Sequence, residues 1–288
     1  MRRRLLAIGA LVAAAAAVVA FARPQSPRPG AGVARANPSA SPARPARKRR
    51  WHLPAAPADV RGAAARRMKV PILMYHVVSA PPPGAANAEL WVDKDVFAAE
   101  MQGLRRAGYH AVTLRQAFDA WQDGGPLPRR PVVVSFDDGY LSDYTHARPV
   151  LRRLQWPGVL NLEVNNLGKD GITEHQVRSL IANGWEIDSH TLTHPDLTTV
   201  GDAQLREELV GSRREIRKRF GSHTAEFFCY PAGKYDARVV AAVRAAGYRG
   251  ATTVDEGPAA RGDSFTLKRV RVNGSDTPGT LLSRLSGV

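Results

Sequence analysis

The sequence predicts an α/β fold: a distorted or incomplete (β/α) barrel of about seven strands, preceded by an N-terminal apolar segment and a disordered linker. Three observations predict it. From Val70 onward, short β-rich runs alternate with helical patterns, the order that builds a parallel sheet with crossover helices. Seven or eight such units fit into roughly 200 residues, the count of a compact barrel. The 288 residues are 44% hydrophobic and 23% charged, enough for a sizeable core without covalent staples. Cys229 is the single cysteine, which excludes an internal disulfide and any multi-cysteine zinc knuckle.

Taken in chain order, Arg2, Arg3 and Arg4 precede residues 5–22, an uncharged stretch of 18 residues rich in Ala, Leu and Val. A basic start followed by an apolar run is an export signal. Ala20-Phe21-Ala22 offers small residues for a signal peptidase, yet the run is just long enough to span a bilayer. Residues 1–22 therefore read as a signal peptide or, if uncleaved, a membrane anchor, and either way the rest of the chain is exported to the envelope or the exterior. Residues 23–68 read as a disordered linker. They are rich in Pro, Ala and Arg and lack the large apolar side chains that offset chain entropy, and proline keeps such a segment extended. The run Arg47-Lys48-Arg49-Arg50 reads either as a ligand for anionic head groups or wall polymers or as a solvated charge run.

The net charge of +15 suggests a nucleic-acid partner until it is divided. Residues 1–69 carry 15 of the 41 Lys and Arg and one acid, Asp59, for a net of +14. The remainder, essentially the folded domain of residues 69–288, is close to neutral, so no basic nucleic-acid groove is expected.

Strands are expected over residues 70–75, 111–114, 132–136, 158–164, 185–189, 225–230, 250–254 and 265–272. Between them, residues 95–107 place Val96, Phe97, Met101 and Leu104 on one helix face and stop at Gly108. Thr173-Glu174-His175-Gln176 is a capping box that opens a helix ending near Asn183-Gly184. Asp202 is expected to cap a long helix through Phe220, and Asp236 another that ends at Gly247. In a barrel of this kind chemistry gathers at the C-terminal ends of the strands, so functional residues should directly follow the apolar runs.

Two runs fit that expectation. Val132-Val133-Val134-Ser135-Phe136 ends in Asp137-Asp138-Gly139, where a turn permitted by the glycine lets both carboxylates face one cavity. Two carboxylates in one pocket repel unless one binds a metal and the other takes a proton. Trp185-Glu186-Ile187-Asp188-Ser189 is followed by His190-Thr191-Leu192-Thr193-His194-Pro195. The i, i+4 spacing would suit a helix face, but Pro195 and the threonines favour a turn after the strand. Two histidines and one aspartate supply the three protein ligands of a catalytic zinc.

These motifs resemble those of the polysaccharide deacetylases, carbohydrate esterase family four. Ser135-Phe136-Asp137-Asp138-Gly139 comes first, then His190-Thr191-Leu192-Thr193-His194 about fifty residues later, then Phe227-Phe228-Cys229-Tyr230-Pro231-Ala232-Gly233. Pro71-Ile72-Leu73-Met74-Tyr75-His76 is also similar to the first strand of many members. The resemblance spans about residues 68–275 and implies a distorted barrel that removes N- or O-acetyl groups from glycans with the help of a divalent metal, zinc foremost and cobalt or nickel as alternatives. It implies Asp138, His190 and His194 as metal ligands, Asp137 as general base, and the backbone N–H of Ala232, in the loop after Tyr230, as part of an oxyanion and substrate-binding site.

Three departures stand out. Cys229 occupies the place of an arginine that helps set the charge state of the base, and Ala232 replaces an aromatic residue. The late Leu-x-His motif carrying a general acid is missing. Arg269 or Arg271 on the last strand is a candidate substitute for the arginine, and His76 at the end of the first strand for the acid. Asp188 reads either as a residue orienting a metal ligand from behind or as a strand end. Cys229 reads as a small buried residue, Tyr140 and Trp91 as groove walls or packing, and His110, His146, His175 and His223 have no partner pattern. The expected partner is an acetylated polysaccharide, with the membrane as a second partner if residues 1–22 stay attached. No oligomeric state is read from the sequence. Two further readings are a glycan-binding pseudoenzyme and a metal-dependent hydrolase of a non-sugar amide.

Overall fold

A computed structural model describes residues 60–286 apart from 169, 170 and 263. The expected signal or anchor segment, and the linker as far as residue 59, lie outside the described residues. The strands are β1 (Ile72–Tyr75), β2 (Val77–Val78), β3 (Trp91–Val92), β4 (His110–Ala111), β5 (Pro131–Asp138), β6 (Val159–Leu162), β7 (Glu186–Ser189), β8 (Phe227–Cys229), β9 (Gly250–Glu256) and β10 (Leu267–Arg271). The helices are α1 (Gly62–Arg66), α2 (Lys94–Arg106), α3 (Leu114–Asp123), α4 (Arg148–Leu154), α5 (Glu174–Ala182), α6 (Asp202–Arg206), α7 (Ser212–Phe220), α8 (Ala237–Ala245) and α9 (Pro278–Ser286).

Seven parallel strands close a ring in the order β1-β10-β9-β8-β7-β6-β5, with β5 returning to β1 through Ile72 opposite Val133 and Tyr75 opposite Phe136. The barrel is complete. Its distortion is a register shift between Leu267 and Arg269 on β10, and β4 pairs only with the first residues of β5, outside the ring.

Alternation along the strands sorts the side chains. Val132, Val134 and Phe136 of β5 join the large apolar layer between strands and helices. Val133 points the other way and packs with Ile72, Val159, Phe227 and Leu267 in the barrel interior. Helix α3 adds Leu114, Ala117, Phe118 and Trp121 to that interior cluster and closes the N-terminal end of the barrel. Further up the interior, Ser135, Asp137, Asn161, Asp188, Thr252 and Arg269 are buried polar residues. A dry floor under a polar upper storey positions the chemistry at the C-terminal mouth.

Several boundaries differ from expectation. Residues 60–68, read as linker, belong to the body: Val60 and Leu127 exchange backbone hydrogen bonds of 3.1 and 3.0 Å, Ala65 is buried, and the Trp121 indole donates to the Met68 carbonyl at 2.9 Å. Local composition is poor in large apolar residues, but the barrel floor supplies them. The strand expected over 111–114 stops at Ala111, because Thr113 opens α3 with a full capping box to Gln116. The expected box at Thr173 and Gln176 and the cap at Asp236 are both present. Asp202 does not cap its helix. Gly201 holds that position, and the Asp202 carboxylate accepts from Arg238 at 2.8 Å. The expected long helix is also interrupted by a π-helical segment over Glu207–Gly211.

Glu100 on α2 is 1% exposed, accepts a 2.9 Å hydrogen bond from the Tyr75 hydroxyl, and has its second oxygen buried without a partner. Burial pushes its pKa up to about 7 against the opposing Tyr75 hydrogen bond. A folded-state pKa above the unfolded one means that the stability contribution is complete below about pH 4.5 and is lost as pH rises through about 7. Glu100→Gln is expected to flatten the unfolding free energy between pH 4 and 8, a span worth about 3 kcal/mol in the parent protein. Denaturant melts across that range check it, and equal slopes in the two proteins would contradict it.

Candidate active site

The chain leaves β5 through a tight turn. Asp138 has a left-handed φ of 73°, Gly139 follows at 88°, and the Gly139 N–H donates to the Asp137 carbonyl at 2.9 Å. This turn places both neighbouring carboxylates on the cavity, as the glycine suggested, although Asp138 itself takes part of the unusual backbone. A Cβ on Gly139 would lie 2.8 Å from the Leu162 side chain, so the position is closed to larger residues. The Asn166 side chain holds the Asp138 carbonyl at 3.1 Å.

The second loop leaves β7 without forming a helix. Thr191 and His194 have φ of 72° and 56°, and the His194 N–H donates to the Thr191 hydroxyl at 2.9 Å. Buried Glu208, from the π-helical segment, accepts the N–H groups of Leu192 and Thr193 at 2.8 and 3.1 Å. π-segments recur where a helix must aim a functional group, and this one fixes the histidine loop. The His190 and His194 rings stand edge to face with centroids 4.7 Å apart.

The two loops converge. Asp138 Oδ1 lies 3.3 Å from His190 Nε2 and 3.6 Å from His194 Nε2. The His190 Nδ1–H donates to the Cys229 carbonyl at 2.8 Å, so a neutral ring turns the lone pair of Nε2 toward Asp138. Asp138 Oδ1 is then buried with no hydrogen-bond donor. With Nε2 of both rings unprotonated, three lone-pair donors face one point and suit a cation. The surroundings favour positive charge at this point: burial opposes a charge on His190, but Cys229, Asp138 and Asp137 outweigh it and hold its pKa well above the usual value, so a proton competes with a metal for Nε2. A second set, Asp137, His190 and Cys229, also has donor atoms within metal-ligand reach. Both Asp137 oxygens are already bonded to Arg269, so the Asp138 set fits a metal better.

Asp137 is 1% exposed. Both its oxygens accept from Arg269, each at 2.8 Å, and Asn161 adds a third hydrogen bond of 2.8 Å to Oδ1. The Cys229 thiol lies 3.6 Å from Oδ2. Burial raises the Asp137 pKa, but Arg269, His190 and His76 together overcome it and leave the carboxyl well below the ordinary range. Arg269 is itself held by the Thr253 carbonyl at 2.7 Å. His76 Nε2 stands 3.9 Å from Asp137 Oδ2, while its Nδ1 is buried without a partner. Burial lowers the His76 pKa, against the pull of Asp137 and Asp138.

These groups line one cavity of about 540 Å³ at the C-terminal mouth, together with Tyr140, Tyr230, Ala232 and Arg271. Of the two candidate arginines, Arg269 reaches Asp137 and Arg271 only lines the cavity. Asp188 does not orient His190. It accepts from the Phe227 N–H at 3.0 Å, because strand pairing turns it into the interior beside Glu186. The Tyr230 hydroxyl donates to the Phe265 carbonyl at 3.0 Å, and its ring packs against Phe228 and Tyr235 in the apolar layer. Ala232 sits in the loop after β8 with a left-handed φ of 50°. Cys229 is buried, as expected. Trp91 lies on β3, outside the residues lining the cavity.

Sequence reasoning missed Asn161, Glu208 and the clamp on the segment after His76. There the Val78 N–H donates to the Ser142 hydroxyl at 3.1 Å and its carbonyl meets His146 Nδ1 at 2.6 Å. None belongs to a motif with a readable spacing. Only the strand register, which sets Asp137 beside Asn161, brings the first of them in.

A closed (β/α) barrel with carboxylates and imidazoles gathered at its C-terminal mouth defines a barrel of enzymatic type. Residues 124–251 match the family model described as "Polysaccharide deacetylase". The "Putative polysaccharide deacetylase YxkH" of Bacillus subtilis (strain 168) is 32% identical over 208 residues, covering 71% of this chain and 72% of that protein. The "Poly-beta-1,6-N-acetyl-D-glucosamine N-deacetylase" of Escherichia coli (strain K12) is 48% identical over 56 residues, which are 19% of this chain and 8% of that protein. Among solved structures, the Streptococcus pyogenes deacetylase PplD in complex with acetate aligns with a TM-score of 0.71 at 25% identity, covering 76% of this chain and 99% of that one. The chain belongs to the polysaccharide deacetylase family, hydrolases that act on acetylated carbohydrate.

Proposed function

We propose that this protein is an exported, metal-dependent deacetylase that hydrolyses N-acetyl groups, or alternatively O-acetyl groups, of an envelope or extracellular polysaccharide. The observation that carries this reading is the buried, donorless Asp138 Oδ1 between the Nε2 atoms of His190 and His194. The local identity to an N-deacetylase favours an amide substrate. Residues 5–22 would take the chain across the membrane as a signal peptide or an anchor, and the segment up to residue 59 would act as spacer.

Asp138, His190 and His194 would hold the cation, zinc foremost, with cobalt or nickel able to replace it. Bound there, the metal would lower the pKa of water and polarise the acetyl carbonyl. The chain supplies the remaining groups. Asp137, kept ionised by Arg269, accepts the proton of the attacking water. The backbone N–H of Ala232 faces the oxyanion as the carbonyl becomes tetrahedral. His76 gives a proton to the leaving nitrogen. Its nearness to Asp137 Oδ2 provides a route by which the proton taken by the base returns to the leaving group. An intact carboxylate–imidazole cluster is what a glycan-binding pseudoenzyme would have no need to keep.

Acetate release from chitooligosaccharides, acetylated xylan and peptidoglycan, with zinc, cobalt or nickel, tests the reading. No release from any glycan with any metal would sink it. His76→Ala is expected to lower kcat about 10²-fold with metal content unchanged. Full activity in that variant would return His76 to a packing role.

A further inference from the structure

The N-terminal end of the barrel, opposite the cavity, carries an unpaired positive surface. Helices in a parallel barrel run against the strands, so their last turns and the residues just before each strand share this end. Arg106 and Arg153 lie in the last turns of α2 and α4, Lys69 and Arg129 precede β1 and β5, and Arg67 follows α1. All five are exposed, and no carboxylate pairs with any of them among the described residues. Lys69 and Arg129 line one shallow cavity together. Of the acids at this end, Asp119 and Glu226 are engaged by Arg249 and Arg115, and Asp123 remains exposed. A cation in a last helical turn offsets the helix dipole, which explains Arg106 and Arg153 one at a time. It does not explain Lys69 or Arg129, which lie outside helices. At the other end, the cavity sets Glu89, Glu163, Asp137 and Asp138 against Arg269 and Arg271, so its lining carries more acid than base.

The chain enters the body at this same end. Val60 pairs with Leu127 and the Gly62 N–H donates to the Gly124 carbonyl at 2.8 Å, both partners lying in the loop between α3 and β5. What precedes Val60 in sequence carries eleven Lys and Arg against one acid, Asp59, and includes the uncharged apolar run of residues 5–22.

We propose that the N-terminal end of the barrel docks on an anionic lipid surface, so that the catalytic mouth faces away from the membrane toward the wall. This rests on residues 1–22 acting as an anchor. Positive residues of the body then continue the attraction begun by the leader, each worth about fivefold in partitioning near an anionic surface. The attraction decays within about one Debye length, roughly 8 Å at physiological salt, so only this end of the barrel can feel it.

The test uses the full-length chain with a fluorophore on Gln122→Cys, exposed on α3, or on Ala203→Cys, exposed at the start of α6 on the opposite end. Energy transfer to headgroup-labelled lipid is read in vesicles of phosphatidylcholine with or without a quarter of phosphatidylglycerol. In anionic vesicles at low salt, transfer from position 122 is expected to exceed that from position 203 by about threefold or more. The asymmetry should vanish in high salt and in the variant combining Arg106→Glu, Arg129→Glu and Arg153→Glu, while acetate release from a soluble oligosaccharide stays unchanged. Equal transfer from both positions of vesicle-bound protein overturns the docking but leaves the anchor intact. Asymmetry that persists in neutral vesicles, or that arises only on adding an anionic wall polymer, overturns the lipid as partner. Absence of vesicle binding overturns the anchor and the docking together, and acetate release reports separately on the deacetylase reading.

Discussion

Asp137→Asn is expected to abolish acetate release while the protein keeps a near-stoichiometric metal ion. The amide cannot take a proton from water, and loss of a general base costs about 10²- to 10⁴-fold in turnover. The metal should stay because Asp138, His190 and His194 are untouched. A second effect follows from Arg269. Its guanidinium is 1% exposed and delivers two 2.8 Å hydrogen bonds to the carboxylate, so the neutral amide leaves a buried cation half satisfied. Removing one partner of a buried pair costs on the order of 3 kcal/mol, and the melting temperature should fall accordingly. Activity is therefore measured well below that temperature, with folding checked by circular dichroism. A folded Asp137→Asn protein with parental turnover would remove Asp137 as the base.

His194→Ala is the complementary case, with loss of metal and little loss of fold. The His194 side chain is 34% exposed, in contrast to 2% for His190, so truncation leaves no deep cavity. It does remove one of three donors around Asp138 Oδ1. Metal analysis after dialysis should show occupancy falling to a small fraction of the parent, and turnover should drop to background. The two variants separate holding a metal from moving a proton, since both should lose turnover and only His194→Ala should lose the metal. Stoichiometric metal in His194→Ala would point to the alternative donor set containing Cys229.

The barrel was largely legible because hydrophobic periodicity reports which face of each strand is buried, and every expected strand has a counterpart. The capping box at Thr173 was readable, whereas the one at Thr113 was hidden beneath an apolar run that looked like a strand. Asp202 shows the limit of cap reasoning. An acidic residue before a helical pattern is a cap only if no arginine elsewhere claims it, and Arg238 does. The boundary of the body was misplaced for a similar reason, since α1 has little apolar surface of its own and its flanking residues Val60 and Met68 are held by Leu127 and Trp121.

In the site, residues inside motifs were found and residues between motifs were not. Asp137, Asp138, His190 and His194 stand in runs whose order carries meaning by itself. Asn161 and Glu208 do not, and each acts through a hydrogen bond spanning a distance in sequence that no local pattern encodes.

The sequence alone determined the family, the barrel and the four side chains that meet at its mouth, because apolar periodicity and short motifs are local properties of the chain. Tertiary structure decided which arginine reaches Asp137, that Asp188 accepts from the Phe227 N–H while His190 bonds the Cys229 carbonyl, and that Asp138 Oδ1 is left without a hydrogen-bond donor. Those outcomes depend on strand register and ring closure, where a shift of one residue sends a side chain to the opposite face.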